Sequence, residues 1–301
     1  CWYKAIRLMY SSVESKASNE IADNIVKVSV IMAVHKGVNS THLGLAIDSV
    51  LNQTMDDFEL VIVCDGGLTD EQASIISTAQ DADDRVVVLH LQKNSGPGAA
   101  RNAGIAIARG MYSAIMDSDD VAMPYRLERQ SHYLDKHENI SVVGGFCNVV
   151  DDNGNLTGVR KLPLSPDSLR RFSLFFCPLN NPTVMGRTRV FREYKYDEEF
   201  RQGEDYILWV NLLKNNHALA NMSDILLDFR VSADLYKRRS GMHKAKSDFV
   251  NRMYAVRIAP IYYMPLVMMF AVGMFFVRFL PSGMIRFLTS RLEVVRARLI
   301  R

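Results

Sequence analysis

Three carboxylates crowd into the four positions Asp117-Ser118-Asp119-Asp120, where the apolar run MYSAIMD ends. Like charges this close repel one another, and something has to offset them. If water does so, the stretch is a solvated acidic turn; if a cation does so, it is a site. A hard divalent ion takes oxygen ligands, typically one or two carboxylates together with substrate phosphates. Asp117 and Asp119, two apart at a strand end, can converge on one such ion while Ser118 points elsewhere. A second group is NSGPGAARN, residues 94–102. Gly96 and Gly98 permit close backbone approach, and Arg101 can neutralise a phosphate, although the same residues also suit a helix start packed on a sheet. The spacing G-x-G-x-x-R lacks the third glycine of a dinucleotide fingerprint and follows a third strand rather than a first. A third group, Gly203-Glu204-Asp205, places two acids where a helix begins and its dipole favours them. Ordinary helix N-terminal charge explains that pattern as well as catalysis does.

Positioning these groups requires strands and helices in alternation. VKVSVIMAV (26–34), FELVIVCD (58–65), RVVVLHL (85–91) and MYSAIMD (111–117) read as buried strands. Between them, THLGLAIDSVLNQ (41–53), a segment beginning GGLTDEQ, and GPGAARNAGIAIARG (96–110) have helical character, with Thr41 as the expected cap of the first. This alternation predicts an α/β fold with a mostly parallel, open sheet. In such sheets ligands bind beyond the carboxyl ends of the strands, and Asp65 and the acid cluster both occupy such ends. A helix YRLERQSHYLDKH, an irregular middle with the turn DDNGN (151–155) and a helix beginning GEDYILWVNLLKN follow.

The net charge of +3 hides a division. From Lys237 to the end, 13 Lys/Arg stand against two acids, whereas the preceding residues hold 23 basic and 31 acidic groups. A basic tail of this kind favours polyanions, including phosphates and anionic membranes. Between Arg257 and Arg278 lie 20 uncharged residues, interrupted by Pro260 and Pro265, so that a bilayer span and a re-entrant or interfacial helix are both open readings. The segment from Ser282 onward has the pattern of a basic amphipathic helix suited to a membrane surface. Its interleaved apolar runs fit lipid better than a nucleic-acid groove. The division predicts a leader over 1–24, a catalytic domain over 25–240 and a membrane-associating helical tail over 241–301. Four cysteines form no CxxC and no metal spacing, which suits a reducing cytosol.

Taken in order, VSVIMAVHK, AIDSVLNQT, FELVIVCDGG, NSGPGAARNAGIAIARG, IMDSDDVAMPYRLERQ and GEDYILWVNLL resemble the family 2 inverting glycosyltransferases over roughly residues 26–240. The resemblance implies a GT-A fold and a metal-dependent enzyme moving a sugar from a nucleotide-diphospho-sugar. Ala33, Val34 and His35 would line the base and ribose, Asp65 would meet the base, and Gly98 and Arg101 would lie near the donor. Asp117 and Ser118 would also meet the donor, and Asp117, Asp119 and the adjacent Asp120 would hold Mn²⁺ or Mg²⁺. Asp205 would be the general base, Glu204 its neighbour on the acceptor side, and Arg238 and Arg239, in YKRRSG, a diphosphate clamp. The acceptor implied is a glycan hydroxyl, polyprenyl-diphosphate-linked, in O-antigen, capsule or exopolysaccharide assembly at the cytoplasmic face of a bacterial inner membrane. The alternative is a catalytically idle sugar-nucleotide-binding scaffold. The chain departs from the family pattern at Ala33-Val34-His35-Lys36, at Cys64-Asp65-Gly66-Gly67, at Asn181 and at Asn211. It has no QxxRW after GED, which argues against a processive synthase.

Overall fold

The computed structural model describes residues 26–200, 202–231, 242–277 and 284. The expected leader, the basic loop with Arg238 and Arg239, and nearly all of the segment from Ser282 lie outside the described residues. Strands β1 (Val28–Val34), β2 (Phe58–Asp65), β3 (Val86–Leu91) and β4 (Tyr112–Asp117) run parallel in the order β3-β2-β1-β4. The runs of β1, β2 and β4 are covered on both faces, and every residue of β2 is buried, whereas β3 at the sheet edge is largely half-buried. Helix α1 (Ser40–Leu51) is capped by Asn39, whose side chain accepts from the His42 amide, and not by Thr41. Asparagine is the stronger acceptor at this position, and it starts the helix one residue earlier than expected. Helix α2 (Asp70–Ala82) opens with a reciprocal Thr69–Gln72 capping box. Helix α3 (Pro97–Ile107) begins with a proline, whose missing N–H costs nothing in the first turn.

Register brings the site residues level. Ala33 pairs with Asp117, Val34 with Cys64, and Asp65 with Leu91, so β1, β2 and β4 finish at one edge. Helix α3 lies so close to this sheet that a Cβ on Gly104 would come 2.7 Å from Ile31 Cγ2 and 2.9 Å from Val63 Cγ2. The small residues of GAARNAG therefore serve close helix–sheet packing, and that closeness carries Arg101 over the strand ends.

Beyond β4 the sheet changes character. It continues through β5 (Val121–Ala122), α4 (Arg126–Lys136), β6 (Ile140–Val150), β7 (Leu156–Arg160), α5 (Pro166–Phe172), a 3-10 turn (Asn181–Thr183), β8 (Met185–Arg187), α6 (Thr188–Tyr194), α7 (Glu204–Lys214) and β9 (Ala218–Arg230). Strand β8 is antiparallel to both β4 and β6, β5 is antiparallel to β9, and β6–β7 is a hairpin, while β6 and β9 are parallel. The expected mostly parallel sheet is thus a mixed one. A short hairpin connection such as the DDNGN turn can join only antiparallel strands.

Two helices close the described chain, α8 (Met242–Ala255) and α9 (Met264–Val277). Val267, Ala271 and Met274 of α9 are buried. Leu266, Met269 and Phe276 are exposed, Met269 by 70% and Phe276 by 63%. Pro260 and Pro265 confine the apolar segment to a helix of 14 residues, about 21 Å long, against a hydrocarbon core of about 30 Å. Among the described residues no helix is long and apolar enough to cross a membrane.

Candidate active site

The acids at the end of β4 are offset from within the protein, each differently. Asp117 Oδ1 receives a 2.9 Å bond from Arg101 Nη2, and the other arm of that guanidinium, Nη1, donates to Glu204 Oε1 at 2.8 Å. Burial works against the charge of Arg101, but Asp117 and Glu204 outweigh it and hold its pKa above the ordinary value. The guanidinium also lies over the Tyr196 ring, 5.5 Å from its centre. Arg101 therefore ties the end of the parallel half of the sheet to the start of α7.

Asp120 is buried. Its Oδ1 accepts from the Arg230 amide at 2.8 Å, and its Oδ2 has no partner among the described residues. Burial first, then the charges of Asp117 and Asp119, push its pKa well up. Below it Arg126 is fully enclosed, donating to the Ile115 carbonyl at 2.7 Å and to Gln130 Oε1 at 3.1 Å. Burial lowers its pKa to about 10, against the opposing pull of Asp120 and Asp117. Asp119, though open to solvent, is raised above the usual carboxylate range by the protein packed around it and then by Asp117. Arg230 Nε also holds the Asp119 carbonyl at 3.0 Å, pinning the turn to the end of β9.

These arrangements bear on a metal. Among the described residues no three His, Cys, Asp or Glu side chains are gathered around one point. Of the expected trio Asp117, Asp119 and Asp120, Asp120 commits one oxygen to β9 and Asp117 commits one to Arg101, while Asp119 is exposed. A pair of ligands does fit: exposed Asp119 and the second oxygen of Asp117 are hard donors. They suit an ion that completes its shell with substrate phosphates.

Asp65 is buried, and its two oxygens accept from the amides of Ser95 at 2.7 Å and Gly96 at 3.0 Å. It anchors the loop that launches α3, and an ionised carboxylate keeps further lone pairs for another donor. Ala33 is half-buried at the cleft edge, Val34 turns its side chain into the core, and His35 is exposed, its Nδ1 accepting from the Gly37 amide at 2.9 Å. Ser118 is buried. Gly98 is buried against the Asp197 carbonyl and Glu204, where absence of a side chain lets α3 approach α7.

Across the cleft, Asp205 stands in the first turn of α7 with Oδ1 accepting from the Tyr206 amide at 2.7 Å. Cys177 Sγ lies 3.8 Å from Oδ2. Burial, then the neighbouring Glu204 carboxylate, raise the pKa of Asp205 to about 6. Trp209, one turn further along α7, is fully buried edge-on to Phe191 and Tyr196 and fixes the helix rotation. Asn181, at a departure from the family pattern, accepts from the Tyr196 hydroxyl at 2.9 Å. Tyr196, Cys177, Arg126 and Arg230 escaped the sequence reading. Arg126 lies in the segment MPYRLERQ but was given no role there, whereas Tyr196, Cys177 and Arg230 lie in no motif and reach the site through contacts distant in sequence.

The O-antigen biosynthesis glycosyltransferase WbnJ of Escherichia coli is 33% identical over 209 residues, which is 68% of this chain and 79% of WbnJ. The amylovoran biosynthesis glycosyltransferase AmsE of Erwinia amylovora is 28% identical over 232 residues, 77% of this chain and 85% of AmsE. Among solved structures, the mannosyltransferase PcManGT of Pyrobaculum calidifontis, in complex with GDP-Man and Mn²⁺, superposes with a TM-score of 0.61 at 14% identity. The match covers 90% of this chain and 81% of that one, and shows a shared GT-A-like fold. The model of the family described as Glycosyl transferase family 2 matches residues 29–200. The chain belongs to glycosyltransferase family 2.

Proposed function

We propose that this glycosyltransferase moves a sugar from a nucleotide-diphospho-sugar to a hydroxyl of a polyprenyl-diphosphate-linked glycan, with inversion, in bacterial surface polysaccharide assembly. The observation that carries the reading is a carboxylate, Asp205, with a pKa raised to about 6, in a cleft it shares with Asp117. A base with that pKa is ionised at neutral pH and still takes a proton readily. Asp205 accepts the proton of the attacking hydroxyl as the bond to the anomeric carbon forms and the bond to the diphosphate breaks. Attack from the side opposite the diphosphate inverts configuration. Asp119 and the second oxygen of Asp117 would hold Mn²⁺ or Mg²⁺. The chemistry such an ion supplies is neutralisation of charge on the leaving diphosphate. Ala33, His35 and Asp65 line the nucleoside end, and Arg238 and Arg239 of the basic loop clamp the diphosphate. PcManGT with its GDP-Man and Mn²⁺, and the O-antigen and amylovoran roles of WbnJ and AmsE, support donor class and pathway class.

The same reading seats the enzyme at the cytoplasmic face of the inner membrane. The exposed Leu266, Met269 and Phe276 face of α9, beside a tail rich in arginine, favours an anionic bilayer surface.

A panel of UDP-, GDP- and dTDP-sugars, scored for thermal stabilisation with Mn²⁺, identifies the donor. With it, Asp205→Asn binds donor normally and loses roughly 10²–10⁴-fold in turnover. Near-normal turnover in that variant removes Asp205 from the role. In the wild type, kcat falls as pH drops through about 6, and not near the usual 3.8. Because the folded chain binds this proton more tightly than the unfolded one, the contribution of Asp205 to stability declines as pH rises between those values. Asp205→Asn removes the decline.

A further inference from the structure

The family match ends at residue 200, before Asp205, and helix α8 lies well beyond it. Even so, two adjacent residues of α8 hold both segments that flank Asp205. Asn251 is buried, and its Nδ2 donates to the Gln202 carbonyl at 3.0 Å. The next residue, Gly203, has φ +78°, and a Cβ there would lie 1.8 Å from Asn251 Nδ2. The left-handed turn that begins α7 is thus shaped around the Asn251 amide, and two residues later comes Asp205. On the other side, Arg252 Nη1 donates to the Phe175 carbonyl at 2.6 Å, and its guanidinium lies over the Phe270 ring of α9 at 4.8 Å. Phe175 belongs to the loop after α5. That loop also carries Cys177, which faces Asp205, and Ser173, whose carbonyl accepts from the Tyr206 hydroxyl at 2.5 Å.

Asn251 Oδ1 is buried without a partner among the described residues. An unpaired buried acceptor is destabilising, so packing alone would favour an apolar residue here. What the side chain contributes is its donor, aimed at the backbone that sets the direction of the Asp205 carboxylate. We infer that Asn251 is a positioning residue for the general base, so that the C-terminal helices complete the catalytic site. The inference rests on the reading of Asp205 as base.

The test follows release of nucleoside diphosphate from the donor selected in the UDP-, GDP- and dTDP-sugar panel, using the full chain with Mn²⁺. Asn251→Ala lowers kcat about 10- to 100-fold, the loss that an ångström of misplacement brings, with donor KM unchanged. Ala255→Gly, which weakens the same helix without touching the turn, lowers the melting temperature and leaves kcat alone. Since Asn251 acts through Asp205, the double variant Asn251→Ala/Asp205→Asn is no slower than Asp205→Asn. Should Asn251→Ala not fold, Asn251→Asp keeps the shape, lacks the donor and shows the same loss in kcat. A wild-type kcat in a folded Asn251 variant overturns the inference and leaves the base in place, as does a loss that multiplies with that of Asp205→Asn. Full turnover by Asp205→Asn overturns the base itself, and the inference with it.

Discussion

At the end of β2, Asp65 has each oxygen occupied by a backbone amide of the loop before α3; at the end of β4, Asp120 has one oxygen on the Arg230 amide and the other buried without a partner among the described residues. Both are buried carboxylates at the carboxyl ends of parallel strands, yet one closes its own half of the sheet while the other depends on the far half. The end of the cleft proposed for the nucleoside is built from neighbouring strands and the loop that follows them. The reacting end is assembled from segments that meet only once β9, α7 and α8 are in place. A fold built this way has a self-sufficient frame on one side and, on the other, a site whose geometry rests on a few long-range polar contacts.

Arg101 is the strongest link between the halves, so its removal is the largest perturbation. Its two ion pairs reach 2.9 Å to Asp117 and 2.8 Å to Glu204. Arg101→Met keeps the stem volume and leaves two acids facing each other without a counter-charge. Breaking a buried pair this way costs about 3–5 kcal/mol, and the partial exposure of Asp117 puts the expected loss near the lower figure. Urea denaturation measures it, and donor-induced stabilisation disappears in the same variant. A loss below about 1 kcal/mol, the scale of a surface ion pair, would mean that the halves are joined chiefly by apolar packing.

Gly104→Ala probes the self-sufficient side. The added methyl meets Ile31 and Val63 at distances shorter than van der Waals contact, and overpacking of this kind costs about 1–3 kcal/mol. Because the strand ends stay level, turnover per folded molecule is retained. An equal loss of turnover would show that small movements of α3 reach Arg101, and that the frame and the site are less separate than their hydrogen bonding suggests.

The same asymmetry decided what could be read before the fold was known. The strands β1 to β4, their parallel order and the grouping of Asp65 with Asp117 follow from apolar periodicity, because fully buried strands write their burial into sequence. The antiparallel insertion of β8 does not, since its three residues, Met185–Arg187, carry no period of their own. The carboxylates of the site were legible by type and spacing. Their partners were not: nothing local marks Arg126 as buried beneath the acid cluster, Arg230 as the clasp of its turn or Asn251 as the support of Gly203. Nor does adjacency to Asp119 in sequence show that one oxygen of Asp120 is committed to the Arg230 amide of β9.

That distinction sets the smallest predicted effect. Asp119→Asn removes the ligand that faces solvent, and with it the Mn²⁺-dependent part of donor-induced thermal stabilisation. Asp120→Asn preserves the shape and the oxygen that accepts from Arg230, and exchanges a buried, crowded carboxyl for a neutral amide. The charge removed is one that burial and two neighbouring acids already disfavour. The new amide has to find an acceptor, an opposing cost of about 1–3 kcal/mol if it fails. The two terms oppose, so stability changes little and the Mn²⁺ response persists. If Asp120→Asn abolishes that response as fully as Asp119→Asn does, the buried oxygen turns toward the ion when donor binds. The reacting end would then be organised by its substrate, and not, like the nucleoside end, by the chain alone.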